Sequence, residues 1–264
     1  MYNGTVPRHH GCNQGVGNVV LSVTPNRRRV APFPEGTLMI AYSVVDVVAI
    51  GFFILEWSVY AYTLEHTNYG KDSLSARMNV YRGIWMRTML QRDTRMVDTQ
   101  IMASLQNGTA WFASTTLLAI GGTLALFRAT NDVLPVIQHL PVNSSAGMWE
   151  VKCIGLALIL IYAYFKFAWA YRLFNYVAIL IGATPPASMA DRPDTELHVV
   201  RTTKMFGAAG RHFNRGQRAF FFALGYLGWF ISPWAFMLTT TAVVIVTWRR
   251  QFASNAWAAM GPQP

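Results

Sequence analysis

The chain has few charged residues and almost no cysteine. Of its 264 residues only 13% are Asp, Glu, Lys or Arg, about half of what a soluble domain carries. Its two cysteines, Cys12 and Cys153, are too few for a disulfide framework and do not form a CxxC metal site. The zinc-protease motif HExxH, the nucleophile motif GxSxG and a glycine-rich phosphate loop are also missing. We therefore expect no catalytic residue, no metal site and no cofactor, and we favour a non-enzymatic protein over the alternative of a membrane-bound enzyme.

Hydrophobic residues, in contrast, make up 53% of the chain and are concentrated in long blocks. A block of 18 or more apolar residues satisfies its backbone in lipid only as a helix. The sequence predicts an all-α polytopic membrane protein, in which one domain, residues 38–252, forms a four-span helical bundle with two amphipathic cytoplasmic segments. Pro233 should kink the last span, which is too short to cross twice. The predicted spans are residues 38–64, 108–127, 151–172 and 219–248.

The segments on either side of this domain are short of apolar residues. Residues 1–37 contain Arg27–Arg29 and scattered Gly and Pro, and we expect them to be a disordered tail. Met39 lies at the edge of the first apolar block and is an alternative translation start. Residues 253–264 are predicted to be a short C-terminal tail.

The distribution of basic residues predicts the orientation. The net charge is +10, and because the basic residues flank apolar blocks, we expect contact with anionic lipid headgroups and no nucleic-acid partner. The first and third loops are rich in Lys and Arg, whereas the second has Arg128 and Lys152 at its margins. The positive-inside rule then places both long loops in the cytoplasm and both termini outside, in a cell inner or plasma membrane. Arg27–Arg29 and the pair Arg249 and Arg250 favour the opposite placement.

Two stretches outside the apolar blocks have helical amphipathicity. Residues 77–106 place Trp85, Met86 and Met89 on one face, with Arg87 and Asp98 on the other. A second helix over residues 197–218 has apolar residues among its basic ones. We expect the two helices to lie at the membrane surface or to pack on each other, the first continuing into the second span.

Four segments resemble the domain of unknown function 599 family of membrane proteins. They read MNVYRGIWMRTMLQRDTRMVDTQI, WFASTTLLAIGG, YFKFAWAYRLFNY and AGRHFNRGQRAFFFAL. The resemblance covers about Leu38 to Phe252 and implies a four-span bundle with two cytoplasmic helical segments. It implies no activity, substrate or cofactor.

Ionisable residues within spans are costly and are candidates for function. Asp46 in the first span has no Lys, Arg or His predicted at its depth. Thr123 and Thr240 supply hydroxyls near that level, so the three residues are a candidate ion or proton site. The alternative is a neutral Asp46 that is hydrogen-bonded between helices.

Glu56, the second acid of the first span, is different because cations are predicted at its depth. Helix rise places Lys166 and Arg172 of the third span close to that level. We therefore predict a structural charge pair between Glu56 and one of these two residues.

A third group of candidates lies at the inner interface. Arg211, Arg215 and Arg218 are spaced four and three residues apart and so share one helical face. Arg82 and Asp93 project into the apolar face of the first amphipathic helix, and we expect each to pair with the second. This group is predicted to contact an anionic lipid headgroup or a partner protein.

Two functions fit these residues. The first is a small transporter or channel for protons or cations, which four spans would form only as a homo-oligomer. The second is a non-catalytic membrane subunit or scaffold that binds a membrane protein partner or anionic lipid through its basic helices. Loss of flux in an Asp46→Asn variant would favour the first function.

Overall fold

The computed structural model describes residues 44–130, 132 and 145–261, and every regular element in these ranges is helical. The predicted disordered tail, residues 1–37, lies outside them. Two 3-10 turns, Ala187–Met189 and Leu227–Phe230, join longer helices. In chain order the α-helices are α1 Val44–His66, α2 Asn68–Lys71, α3 Leu74–Leu90, α4 Met96–Arg128, α5 Ala146–Gly182, α6 Pro193–Tyr226, α7 Pro233–Phe252 and α8 Asn255–Ala259.

Three of these helices, α1, α4 and α5, are long and apolar enough to cross a membrane. They contain the described parts of the first three predicted spans. The chain is thus an integral membrane protein with an all-helical fold. The fourth predicted span is not among the helices that meet these criteria in the described ranges.

The prediction of one continuous helix over residues 219–248 is wrong. Helix α6 ends at Tyr226, and α7 begins at Pro233, where the Ser232 hydroxyl accepts a hydrogen bond from the Ala235 amide at 3.0 Å. Ser followed by Pro is a helix start, because serine caps the first turn and proline needs no amide partner there. Pro233 therefore begins a helix instead of kinking one.

Helix α7 runs back along α6. The Thr239 hydroxyl donates to the Gly225 carbonyl at 2.7 Å, and further along the pair the Arg250 guanidinium lies 5.5 Å from the Phe221 ring centroid. Helices α6 and α7 consequently form an antiparallel hairpin. The sequence predicts a single crossing here, because residues 219–248 are too short to cross the membrane twice.

The helix predicted over residues 77–106 is also two helices, because the chain turns between Leu90 and Met96. Asp98, expected on the polar face, is fully buried and accepts hydrogen bonds from Trp85 Nε1 at 2.6 Å and Arg92 Nη1 at 2.9 Å. Arg95 in the turn donates to the Thr184 carbonyl at 2.6 Å, beyond the end of α5. These polar contacts hold the turn.

Contacts between helices define two ends of the bundle. At the turn end, Asp46 of α1 meets Trp229 of the 3-10 turn, and Trp149 of α5 meets the Leu126 carbonyl of α4. At the arginine end, Glu65 of α1 meets Arg215 and Arg218 of α6. Aromatic and aliphatic side chains fill the interior between the two ends.

Candidate functional site

A cavity of about 550 Å³ opens at the arginine end, among α1, α3, α6 and α7. This volume is in the range of small-molecule binding sites. Among its described lining residues, Glu65 is the single carboxylate. Five guanidinium groups also line the cavity, those of Arg82, Arg211, Arg215, Arg218 and Arg250. The wall of the cavity therefore has a strong excess of positive charge.

Helix α6 supplies three of the five arginines. Arg211, Arg215 and Arg218 share one face, as their spacing predicted, and this face looks into the cavity. The Arg218 side chain is 11% exposed and that of Arg215 is 35% exposed. The predicted interface group thus comes together in one place, apart from Asp93.

Glu65 shows how this wall binds an oxyanion. Arg215 donates from Nε to Oε1 at 3.0 Å and from Nη2 to Oε2 at 2.5 Å, while Arg218 Nη2 donates to Oε1 at 2.6 Å. The bidentate pairing is the geometry that guanidinium groups prefer for carboxylate and phosphate. One negative charge is shared between two arginines, so this pair keeps an excess of one positive charge.

Arg82 enters the cavity from α3. Its guanidinium donates to Asn79 Oδ1 and lies 5.0 Å from the centroid of the Phe206 ring of α6. Burial, and then the positive charge of Arg211, lower the pKa of Arg82 from its ordinary value. Two like charges are therefore held near each other at the seam between α3 and α6.

Glu65, Asn79 and Arg250 were missed in the sequence. Arg250 was read as a flanking charge because the hairpin that returns it to the cavity was not predicted. Glu65 carries a weak signal, since it is an acid at the end of a long apolar segment. Nothing in the sequence around Asn79 distinguishes it from other surface asparagines.

The candidate ion site is arranged differently from the prediction. Asp46 is 9% exposed and accepts a hydrogen bond from Trp229 Nε1 at 2.7 Å. Lys152 Nζ lies 5.5 Å from the Trp229 ring centroid and interacts electrostatically with Asp46. The Thr123 and Thr240 hydroxyls donate to carbonyls of their own helices, at Ala119 and Phe236. The expectation that Asp46 has no partner is wrong.

The predicted charge pair of Glu56 is not formed among the described residues. Glu56 Oε1 accepts a hydrogen bond from the Thr241 hydroxyl of α7 at 3.0 Å. Lys166 Nζ lies 5.0 Å from the Tyr162 ring centroid, and Arg172 Nε donates to the Tyr176 hydroxyl at 2.7 Å. Lys166 and Arg172 thus each contact a tyrosine on their own helix.

Asp93 does not reach α6. It is exposed in the turn between α3 and α4 and makes no ion pair among the described residues. The buried acid of this region is instead Asp98, five residues later. Within the described ranges no group of three or more His, Cys, Asp or Glu side chains is placed to hold a metal ion.

Comparison with known proteins identifies a family without an activity. The family described as "Protein of unknown function, DUF599" matches residues 48–256. No curated protein and no solved structure matches the chain.

Proposed function

Because the chain belongs to the DUF599 family, whose description names no activity, we propose a function from its own cavity: it binds the anionic headgroup of a membrane lipid, without catalysis. The observation that carries this proposal is the set of five arginines around a single carboxylate in a volume suited to a small ligand. Arg211 and Arg250 have no carboxylate partner among the described residues. A bound anion would neutralise charges that the fold has brought together.

The position of the cavity supports a ligand from the lipid bilayer. It lies at the end of α1, a helix that is long and apolar enough to span the membrane. A cavity at that level faces the headgroup region, where arginine side chains attract anionic lipids. We place this end in the cytoplasm, since the hairpin returns Arg249 and Arg250 to the same end as the other arginines and so removes an objection to that orientation.

The hairpin also changes the proposed topology. We infer five crossings, with the second half of α6 and all of α7 as the last two. The residue that begins α1 and the end of α7 then lie on opposite sides of the membrane. Residues of α3 and the first half of α6 form the two cytoplasmic helical segments.

Binding can be tested by native mass spectrometry of the protein released from nanodiscs of phosphatidylcholine with a minor share of phosphatidylserine. We expect the wild type to retain phosphatidylserine preferentially, and the double variant Arg211→Gln, Arg250→Gln to lose this preference. The matched control is Arg201→Gln, Arg249→Gln, which makes the same charge change on the same two helices, at exposed residues outside the cavity lining. Equal retention of both lipids by the folded wild type would refute the proposal.

The other hypotheses stay predictions. Proton or cation transport is tested by flux into liposomes, with Asp46→Asn beside the wild type. Assembly into a homo-oligomer, or with a membrane protein partner through the basic helices, is tested by the mass of the complex released from the same nanodiscs.

A further inference from the structure

We propose that the cavity selects a phosphomonoester, and that Arg82 and Arg211 form the subsite for its doubly charged phosphate. This inference rests on the proposed headgroup binding and names the chemical class of the ligand. The inference depends on an asymmetry among the arginines of the cavity. Some of them have a carboxylate of the protein as counter-charge, and others have none among the described residues.

The first side of the asymmetry is the Glu65 side. Arg215 and Arg218 both donate to the Glu65 carboxylate, and three hydrogen bonds of 2.5 to 3.0 Å hold it. A ligand anion could take these two arginines only by displacing a carboxylate that is covalently part of the protein. Glu65 also repels an incoming anion. The ligand phosphate is therefore directed to arginines of the cavity that have no carboxylate partner among the described residues.

The second side holds Arg82 and Arg211 without a carboxylate among the described residues. Asn79 can accept a hydrogen bond from Arg82, but it adds no negative charge. A Cβ atom at Gly207 would lie 3.3 Å from Arg211 Nη1 and 4.0 Å from Asn79 Oδ1, the acceptor of the Arg82 hydrogen bond, so the two guanidinium groups are neighbours and repel each other. Two such neighbouring cations leave two positive charges for a ligand to neutralise.

Helix α6 is shaped to admit Arg82. A Cβ atom at Gly210 would lie 2.7 Å from Cζ of Arg82, well inside contact distance, so a side chain there would exclude the guanidinium. Glycine is a poorer helix former than alanine. This glycine lets the Arg82 guanidinium lie directly against the α6 backbone, beside the Phe206 ring.

A phosphomonoester matches this subsite better than a phosphodiester does. Near neutral pH it carries a charge of about −1.5 to −2 and three strong acceptor oxygens. These oxygens can accept bidentate hydrogen bonds from two guanidinium groups at once. A phosphodiester has one negative charge and two free oxygens, so it would leave one of the two cations without a counter-charge.

The test compares two anionic lipids in otherwise identical phosphatidylcholine nanodiscs. Phosphatidic acid supplies a phosphomonoester and phosphatidylglycerol a phosphodiester. By native mass spectrometry we expect the wild type to retain phosphatidic acid about tenfold more strongly than phosphatidylglycerol. This factor corresponds to one additional pair of charge-assisted hydrogen bonds to the phosphomonoester. Arg82→Gln should bring the ratio close to one. Arg211→Gln, at an exposed position, should do the same and serves if Arg82→Gln does not fold.

Arg250→Gln is the control within the cavity, because Arg250 lies outside the Arg82 and Arg211 pair. It should weaken retention of both lipids and leave their ratio unchanged. If the wild type retains the two anionic lipids equally, and both more strongly than phosphatidylcholine, the proposed selection of a phosphomonoester is overturned. The proposed headgroup binding then stays intact. Retention of neither would overturn both proposals.

A soluble competitor separates the two sources of a phosphomonoester. Glycerol 3-phosphate added at millimolar concentration displaces phosphatidic acid if the phosphate group alone carries the recognition. Phosphatidic acid that resists the competitor indicates a lipid ligand held also by its acyl chains. Either result supports the phosphomonoester, provided that Arg82→Gln weakens the binding concerned.

Discussion

The Asp46 side chain lies where α1 meets the turn that joins α6 to α7. In the sequence it is an isolated acid in an apolar span. In the structure its carboxylate accepts a hydrogen bond from the indole of Trp229, 183 positions away, with Lys152 close to both. A carboxylate with an internal donor and a nearby cation joins α1, α5 and the hairpin turn, an arrangement that favours a structural role for Asp46.

This role predicts a graded loss of stability. Asp46→Leu leaves the Trp229 N–H without an acceptor in the interior, at a cost of about 1–3 kcal/mol, and should lower the apparent Tm in detergent, followed by circular dichroism. Asp46→Asn keeps an acceptor oxygen and should lower it less. Trp229→Phe removes the same hydrogen bond, so the double variant should lose less stability than the sum of the two single variants. An unchanged Tm in Asp46→Leu would show that this contact does not hold the turn.

At the scale of helices, the crossing of α5 and α6 depends on Gly216. A Cβ atom there would lie 2.8 Å from two atoms of the Phe167 ring. Phe167 is fully buried and stacks on Phe112 at a centroid distance of 5.3 Å. The ring therefore has no space to move away, and the glycine fixes how closely the two helices approach.

We expect Gly216→Ala to destabilise the protein by about 1–3 kcal/mol, the usual range for overpacking a core. The matched control is Gly122→Ala on α4, where a new Cβ atom meets nothing within 4 Å. That change should be neutral or stabilising, because alanine is the better helix former. Thermal unfolding of the two variants beside the wild type makes the comparison, and equal Tm values would mean that the crossing adapts to the added methyl group.

For the whole molecule, the proposed topology depends on the hairpin of α6 and α7. A single crossing over residues 219–248 would place Ala253 on the side opposite to α3. With the proposed two crossings, Ala253 lies on the side of α3 and Ile231, in the turn of the hairpin, lies on the other side. The hairpin also brings Arg250 to the arginine end.

Cysteine labelling in sealed cells or oriented vesicles tests this topology. In a background with Cys12 and Cys153 replaced by serine, Thr88→Cys marks the arginine end. Ala253→Cys should react with an impermeant maleimide from the same side as Thr88→Cys, and Ile231→Cys from the opposite side; all three positions are exposed. Labelling of Ala253→Cys from the side of Ile231→Cys would restore the single crossing.

The sequence by itself determined the class of protein, three long apolar helices and the shared face of Arg211, Arg215 and Arg218. These properties are local, since hydropathy and helical spacing depend on neighbours along the chain. The family resemblance likewise depended on contiguous segments, and the matched residues 48–256 confirm it.

Only the tertiary structure decided which charges meet. Glu65 with Arg215, Asp46 with Trp229, and Arg82 beside Gly210 are contacts between helices distant in sequence, and they depend on how the helices are placed and rotated. The break at Ser232 and Pro233 could be read locally as a kink or as a helix start. The Thr239 bond to Gly225 and the packing of α7 on α1 and α6 stabilise the hairpin, and such contacts have no trace in the local pattern of residues.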